Sequence, residues 1–173
     1  MAGAALMLGL VFGVVWLLAV QAADAAPFAG TPGADRPEAT IAELDATLAE
    51  NPDDHVARLE LAAEHFDASA YDEALEHYLT ILDVQPQHAR ALARAGWIAF
   101  EGGDPALAAR LVGQSLKVRP DDAEALWFLA HVRLFGLDDP SGAQAPLRSL
   151  LDRNDLSDGF RRQVERLLEE ATG

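Results

Sequence analysis

Five histidines, two of the three adjacent aspartate pairs and one glycine pair are the places in this 173-residue chain where chemistry would be sought first. His55, His65, His77, His88 and His131 lack the i, i+4 spacing that sets two imidazoles on one helix face for a metal. Only His65 and His77 stand where two antiparallel helices could bring them together, and surface or packing roles account for them more simply. Asp53-Asp54 and Asp121-Asp122 precede apolar periodic stretches, where carboxylates complement the positive end of a helix. Gly102-Gly103 precedes a helix, but no Lys-Ser/Thr follows to make a phosphate loop. The chain has no cysteine, which removes thiol nucleophiles, disulfides, thiolate metal sites and haem attachment through CxxCH. These residues point to no enzyme, no metal and no cofactor.

The elements that carry them repeat. Pro52, Pro86 and Pro120 stand 34 residues apart, each followed by a polar pair: Asp53-Asp54, Gln87-His88 and Asp121-Asp122. A proline just past a helix end stops it, and the pair supplies oxygens or a ring nitrogen at the next helix start. Ala62 and Ala74, then Gly96 and Ala108, are 12 apart within a unit and 34 apart between units. Small residues there let two antiparallel helices cross closely, with Leu61, Tyr78, Val112, Leu129 and Leu147 filling the space between. The third copy runs from Ala130 to Ala143, a step of 13, so its inner turn carries one extra residue. The spacing predicts helix pairs at 54–68 and 71–85, 88–101 and 105–118, and 122–135 and 140–153. Residues 37–50 and 157–171 are expected to cap the stack, as a solenoid requires. Pro146 is expected to kink its helix or delay its start.

In this pattern the chain resembles the tetratricopeptide repeat (TPR). The small residue, alanine, aromatic and closing proline of the repeat read Ala62, Ala74, Tyr78 and Pro86; the next copy reads Gly96, Ala108, Val112 and Pro120. The family's early tryptophan is replaced by Arg58, Leu92 and Leu126, and Asn154 stands where the third closing proline belongs. The resemblance covers about residues 40–153. It implies an all-α TPR solenoid of about three hairpins whose first helices line a concave groove. Transferred residue by residue, the groove positions are Val56, Leu59, Ala63 and Phe66, then Arg90, Ala93, Trp97 and Phe100, then Glu124, Trp127, His131, Leu134 and Phe135. From these the expected partner-binding set is Leu59, Phe66, Arg90, Trp97, Phe100, Trp127, His131 and Phe135, with Arg94 at its edge. Aromatic and arginine side chains are the usual anchors of interfaces. The alternative is that Trp97 and Trp127 pack as core, against each other or the terminal helix. The Lys/Asn set that clamps a terminal carboxylate in chaperone-binding members is missing.

Ahead of the repeats, residues 2–20 carry no charge. As a helix they rise roughly 28 Å, close to the ~30 Å hydrocarbon core of a bilayer. Residues 1–23 therefore read as a transmembrane anchor. A cleaved signal peptide is the rival, with Ala23-Asp24-Ala25 as its small-x-small site. Ala5, Gly9 and Gly13 form a small-xxx-small ladder for a weak homodimer. Residues 24–36 read as a flexible linker and 37–173 as the TPR domain. The net charge of −15 argues against nucleic acid. Residues 37–86 hold 13 acids against one base, whereas residues 87–173 hold 13 against 11, so the first half could steer a basic partner. A solvated, solubilising face is the plainer reading of that charge.

A single span, a tether and a TPR domain, together with residues 125–156 (ALWFLAHVRLFGLDDPSGAQAPLRSLLDRNDL), are similar to the TPR subunit of bacterial c-type cytochrome maturation, the CycH type. The resemblance implies an extracytoplasmic, membrane-anchored adaptor that receives a segment of apocytochrome c. A general envelope scaffold or a self-associating structural protein is the alternative.

Overall fold

The computed structural model describes residues 40–173, all within a compact unit that spans Asp35–Gly173. Eight α-helices follow one another among the described residues: α1 (Ile41–Glu50), α2 (His55–Asp67), α3 (Tyr71–Val84), α4 (Ala89–Glu101), α5 (Pro105–Val118), α6 (Ala123–His131), α7 (Pro140–Leu151) and α8 (Asp158–Thr172). The pairs α2/α3, α4/α5 and α6/α7 are the three expected hairpins, with α1 and α8 at the ends. Among the described residues no helix is long and apolar enough to cross a membrane. The expected span, its Gly9/Gly13 ladder and the linker at 24–36 lie outside the described residues.

The helix starts obey local chemistry. After each proline of the repeat, the last residue of the polar pair caps the next helix. Asp54 accepts from the Val56 and Ala57 N–H groups, His88 Nδ1 from Ala91, and Asp122 from Ala125. Asp104 and Asp139 do the same before Pro105 and Pro140, whose missing N–H costs nothing at the first helical position. Thr40 and Glu43 form a reciprocal capping box on α1, and Ser157 caps α8.

The turn inside each hairpin needs one residue in the left-handed region. Ser69 (φ 59°), Gly103 (φ 85°) and Asp138 (φ 50°) take that place. Only the glycine does so without a Cβ penalty. The first two are 34 apart and the last two 35, so the extra residue of the third copy lies between them. It is absorbed by a π turn at Val132–Gly136, closed by the Leu137 N–H donating to the Val132 carbonyl at 3.0 Å.

Packing follows the small-residue stripe. Ala62, Ala74, Ala108, Ala130 and Ala143 are wholly buried, and Leu61, Tyr78, Val112 and Leu147 fill the space between helices. At Gly96 a Cβ would stand 2.7 Å from Val112 Cγ2 and 3.2 Å from the Ala108 carbonyl oxygen, so α4 and α5 touch almost backbone to backbone. Every residue from Ala91 to Ile98 is buried, which makes α4 the central post of the stack. Pro146 does not delay α7, which begins at Pro140 and runs through it. The lost bond to the Gly142 carbonyl is offset by burial of the ring between Ala143 and Leu147, all three inside the stack. α8 closes the end with Phe160, Val164 and Ala171 turned inward, and Arg161 donates to the Leu151 carbonyl at 2.9 Å.

Candidate functional site

The nine residues expected to bind a partner divide into three sets. Leu59 and Arg90 reach solvent at the edge where the loops between repeats lie. They line an open cavity of about 790 Å³ with Pro86, His88, Val118 and Arg119. Val118 is 44% exposed and holds the same place in its repeat as Val84, which is 59% exposed. The concave-groove transfer found Leu59 and Arg90 on first helices but not Pro86, Val118 and Arg119, which lie at the end of a second helix or in the connection after one.

The second set is interior. Arg94, expected at the groove edge, is only 7% exposed. Its position on α4 turns it toward the neighbouring hairpins rather than outward, where side chains of four other residues meet it. Nε donates to Glu124 Oε1 at 3.0 Å, Nη1 lies 3.5 Å from Asp67 Oδ1 and 3.5 Å from the Tyr78 hydroxyl, and the guanidinium sits 4.7 Å from the Phe66 ring centre. Burial raises the Glu124 carboxyl and Arg94 opposes it; burial likewise pushes the Tyr78 hydroxyl up to about 12. Arg94 therefore ties repeats one, two and three together from inside.

Trp97 is the second interior residue, 8% exposed, so the core alternative describes it and an open-groove anchor does not. It packs with Ala93, Val112, Ala125 and Phe128. Phe66 reaches the same cluster, 6.2 Å from Phe128, and so bridges the first hairpin to the third. Phe128, beside Trp127 in sequence, fills the space between those two hairpins. Nothing in the repeat pattern marked it, because its position faces the previous repeat rather than its own hairpin.

The third set is an aromatic ladder down α6: Trp127, His131 and Phe135, with successive ring centres 4.1 and 5.4 Å apart. Trp127 is half-buried against Phe160 of the terminal helix at 4.9 Å. His131 Nδ1 lies 3.1 Å from the Trp127 carbonyl, which requires that nitrogen to carry the proton. Burial pushes the His131 imidazole down to about 4 against that hydrogen bond. The ladder emerges at Phe135, 53% exposed on the π turn, whose Gly136 lies against the ring of partly buried Phe100 of the preceding repeat.

His65 and His77 do meet across the first hairpin, stacked at 5.7 Å and 12°. Among the described residues no group of three or more His, Asp or Glu side chains could hold a metal ion. Burial, then Arg58, lowers the His77 imidazole.

Three helix pairs flanked by two end helices among the described residues, with an alanine stripe and a 34-residue period, define a helical-repeat solenoid. Two family models, each described as tetratricopeptide repeat, match residues 34–100 and 94–134. Together they span residues 34–134, and the chain carries tetratricopeptide repeats there. No curated protein sequence matches it. Among solved structures it is similar to MamA, with 17% identity and a TM-score of 0.60 over 76% of this chain and 80% of that one. It is similar also to the first TPR of Spaghetti (RPAP3) bound to the HSP90 peptide SRMEEVD, with 15% identity and a TM-score of 0.58 over 69% and 94%. The Sgt2 TPR domain from Aspergillus fumigatus shares 22% identity at a TM-score of 0.53 over 80% and 87%. At these identities the likeness is one of fold. Domains of this fold are typically protein-interaction modules rather than enzymes.

Proposed function

We propose that this chain is a membrane-anchored adaptor whose TPR domain stands on the extracytoplasmic side and holds a peptide or helical segment of a partner protein. The observation that carries the binding role is the open cavity at Leu59 and Arg90, two groove positions of the repeat with solvent-facing apolar and cationic surface. The RPAP3 domain, of like fold, holds a peptide in its own structure. The uncharged run at 2–20 supports the anchor. Assembly of c-type cytochromes is the specific setting favoured by the one-span, tether and repeat organisation. The occupant would then be a segment of unfolded apocytochrome c.

Site-specific photocrosslinking in intact cells tests this. A photoreactive residue in place of Arg90 should capture one protein, with apocytochrome c as the expected species. Capture of envelope-assembly proteins without any cytochrome would leave the scaffold reading and remove the cytochrome role. Single cysteines replacing Thr31 or Asp155 should label with a membrane-impermeant reagent. Labelling of both only by a permeant reagent would place the domain inside the cell and overturn the topology.

A further inference from the structure

We infer that the cavity beside the start of α4 takes an acidic peptide segment carrying an apolar side chain. The inference rests on the adaptor reading and names the chemistry of its partner. Leu59, Pro86 and Val118 give the cavity an apolar floor, and no carboxylate is among its lining residues. Arg90 is exposed and makes no ion pair among the described residues. The Glu124 carboxylate whose field it modifies is already bonded to Arg94. Arg119 has one guanidinium nitrogen on Asp122 at 2.5 Å, and its side chain stays half exposed.

His88 reports the local field. Its imidazole is lowered first by burial and then by Arg90 and Arg119. Its Nδ1 is committed to the Ala91 N–H. Ala89 and Arg90, whose N–H groups in the first turn of α4 have no intrahelical partner, are both among the lining residues. The chain as a whole carries a net charge of −15, and the first hairpin alone would attract a basic segment. The cavity has the opposite sign, and charges beyond about 10 Å are largely screened at 0.1 M salt, so its own two guanidiniums set the local field. A segment with two carboxylates flanking an aliphatic residue satisfies both guanidiniums and covers Val118.

The test uses the full chain in nanodiscs of neutral phosphatidylcholine and three fluorescein-labelled peptides: Gly-Glu-Leu-Glu-Glu-Leu-Gly and its all-Gln and all-Lys counterparts. Anisotropy should show the acidic peptide binding at least about tenfold more tightly than the others, with affinity falling as NaCl rises. Arg90→Gln and Arg119→Gln should each lose about tenfold and Val118→Glu should abolish binding, while Arg162→Gln on α8 changes nothing. Circular-dichroism melts identify any variant that fails to fold. Equal binding of the Gln or Lys peptide, still lost in Val118→Glu, would overturn the acidic chemistry and leave the cavity as the adaptor site. Absence of binding by all three would overturn the acidic inference, whereas the crosslink from position 90 judges the adaptor reading separately. Acidic-peptide binding that appears only after Asp24 and Asp35 are neutralised would make the occupant this chain's own linker. Dimers in sedimentation that Arg90→Gln dissolves would make it a second copy; either result overturns the partner.

Discussion

The indole of Trp97 stacks on the Phe128 ring with centres 4.6 Å apart and planes 28° from parallel. One residue comes from the second hairpin and the other from the third. The stack is therefore a contact between repeats, and in a solenoid such contacts decide whether the array unfolds as a unit. Trp97→Ala should cost about 3–5 kcal/mol through lost burial and the cavity left behind. Urea denaturation monitored by circular dichroism measures it. A loss below about 1 kcal/mol would mean that Trp97 is solvated and open to a partner.

The Arg94–Glu124 pair makes a second prediction, because both side chains are withdrawn from water, at 8% and 14% exposure. Arg94→Met leaves a buried carboxylate without its cation and should cost about 3–5 kcal/mol near neutral pH. Burial already raises the Glu124 carboxyl, and removal of Arg94 raises it further. A carboxyl raised in the folded state binds its proton more readily there than in the unfolded chain. The variant should therefore recover part of its stability as pH falls below neutrality. Arg94→Met with Glu124→Leu should cost clearly less than the sum of the single changes, which a double-mutant cycle tests.

The close crossing of α4 and α5 is tested from both sides. Gly96→Ala puts a methyl within 2.7 Å of Val112 Cγ2, and Ala108→Leu adds bulk at a wholly buried position on the facing helix. Each should lower stability by roughly 1–3 kcal/mol, and Ala108→Leu by the more. Leu107→Ala, one residue away and only partly buried, should cost less than Ala108→Leu. Equal melting temperatures for Ala108→Leu and the wild type would misplace the crossing.

Much of this architecture was legible in the sequence because period, cap and small-residue stripe are local signals that agree. Pro52, Pro86 and Pro120 set the frame, Asp54, His88 and Asp122 cap as their spacing implies, and Ala62, Gly96 and Ala130 mark the crossings. The orientation of side chains between repeats was less legible. It depends on the superhelical rotation from one hairpin to the next, which no single 34-residue frame encodes. Arg94 and Trp97 turned inward for that reason. The cavity was only partly legible because Pro86, His88, Val118 and Arg119 come from the ends and connections of successive hairpins that approach only once the stack is built. Of the two effects expected of Pro146, a delayed helix start is excluded, because the helix begins at Pro140 and burial of the ring offsets the lost hydrogen bond.

His131 supplies the last prediction, a dependence of stability on pH. Its imidazole lies among Trp97, Trp127 and Phe135, and burial there depresses its pKa from 6.5 to about 4. Between those values the unfolded chain binds the proton and the folded chain does not, so stability rises with pH across the window. The contribution is complete above about pH 6.5 and is lost progressively as pH falls toward 4. The gap corresponds to roughly 3 kcal/mol at most. His77 and His88 are lowered as well and act in the same direction, so removing His131 alone should reduce the slope rather than abolish it. His131→Phe keeps an aromatic ring against Trp127 and removes the proton-binding site. Its stability, measured by urea denaturation from pH 7 to pH 4.5, should fall more gently than that of the wild type. Parallel curves for the two proteins would show that His131 protonates without leaving the ladder, and that the space beside Phe135 admits water.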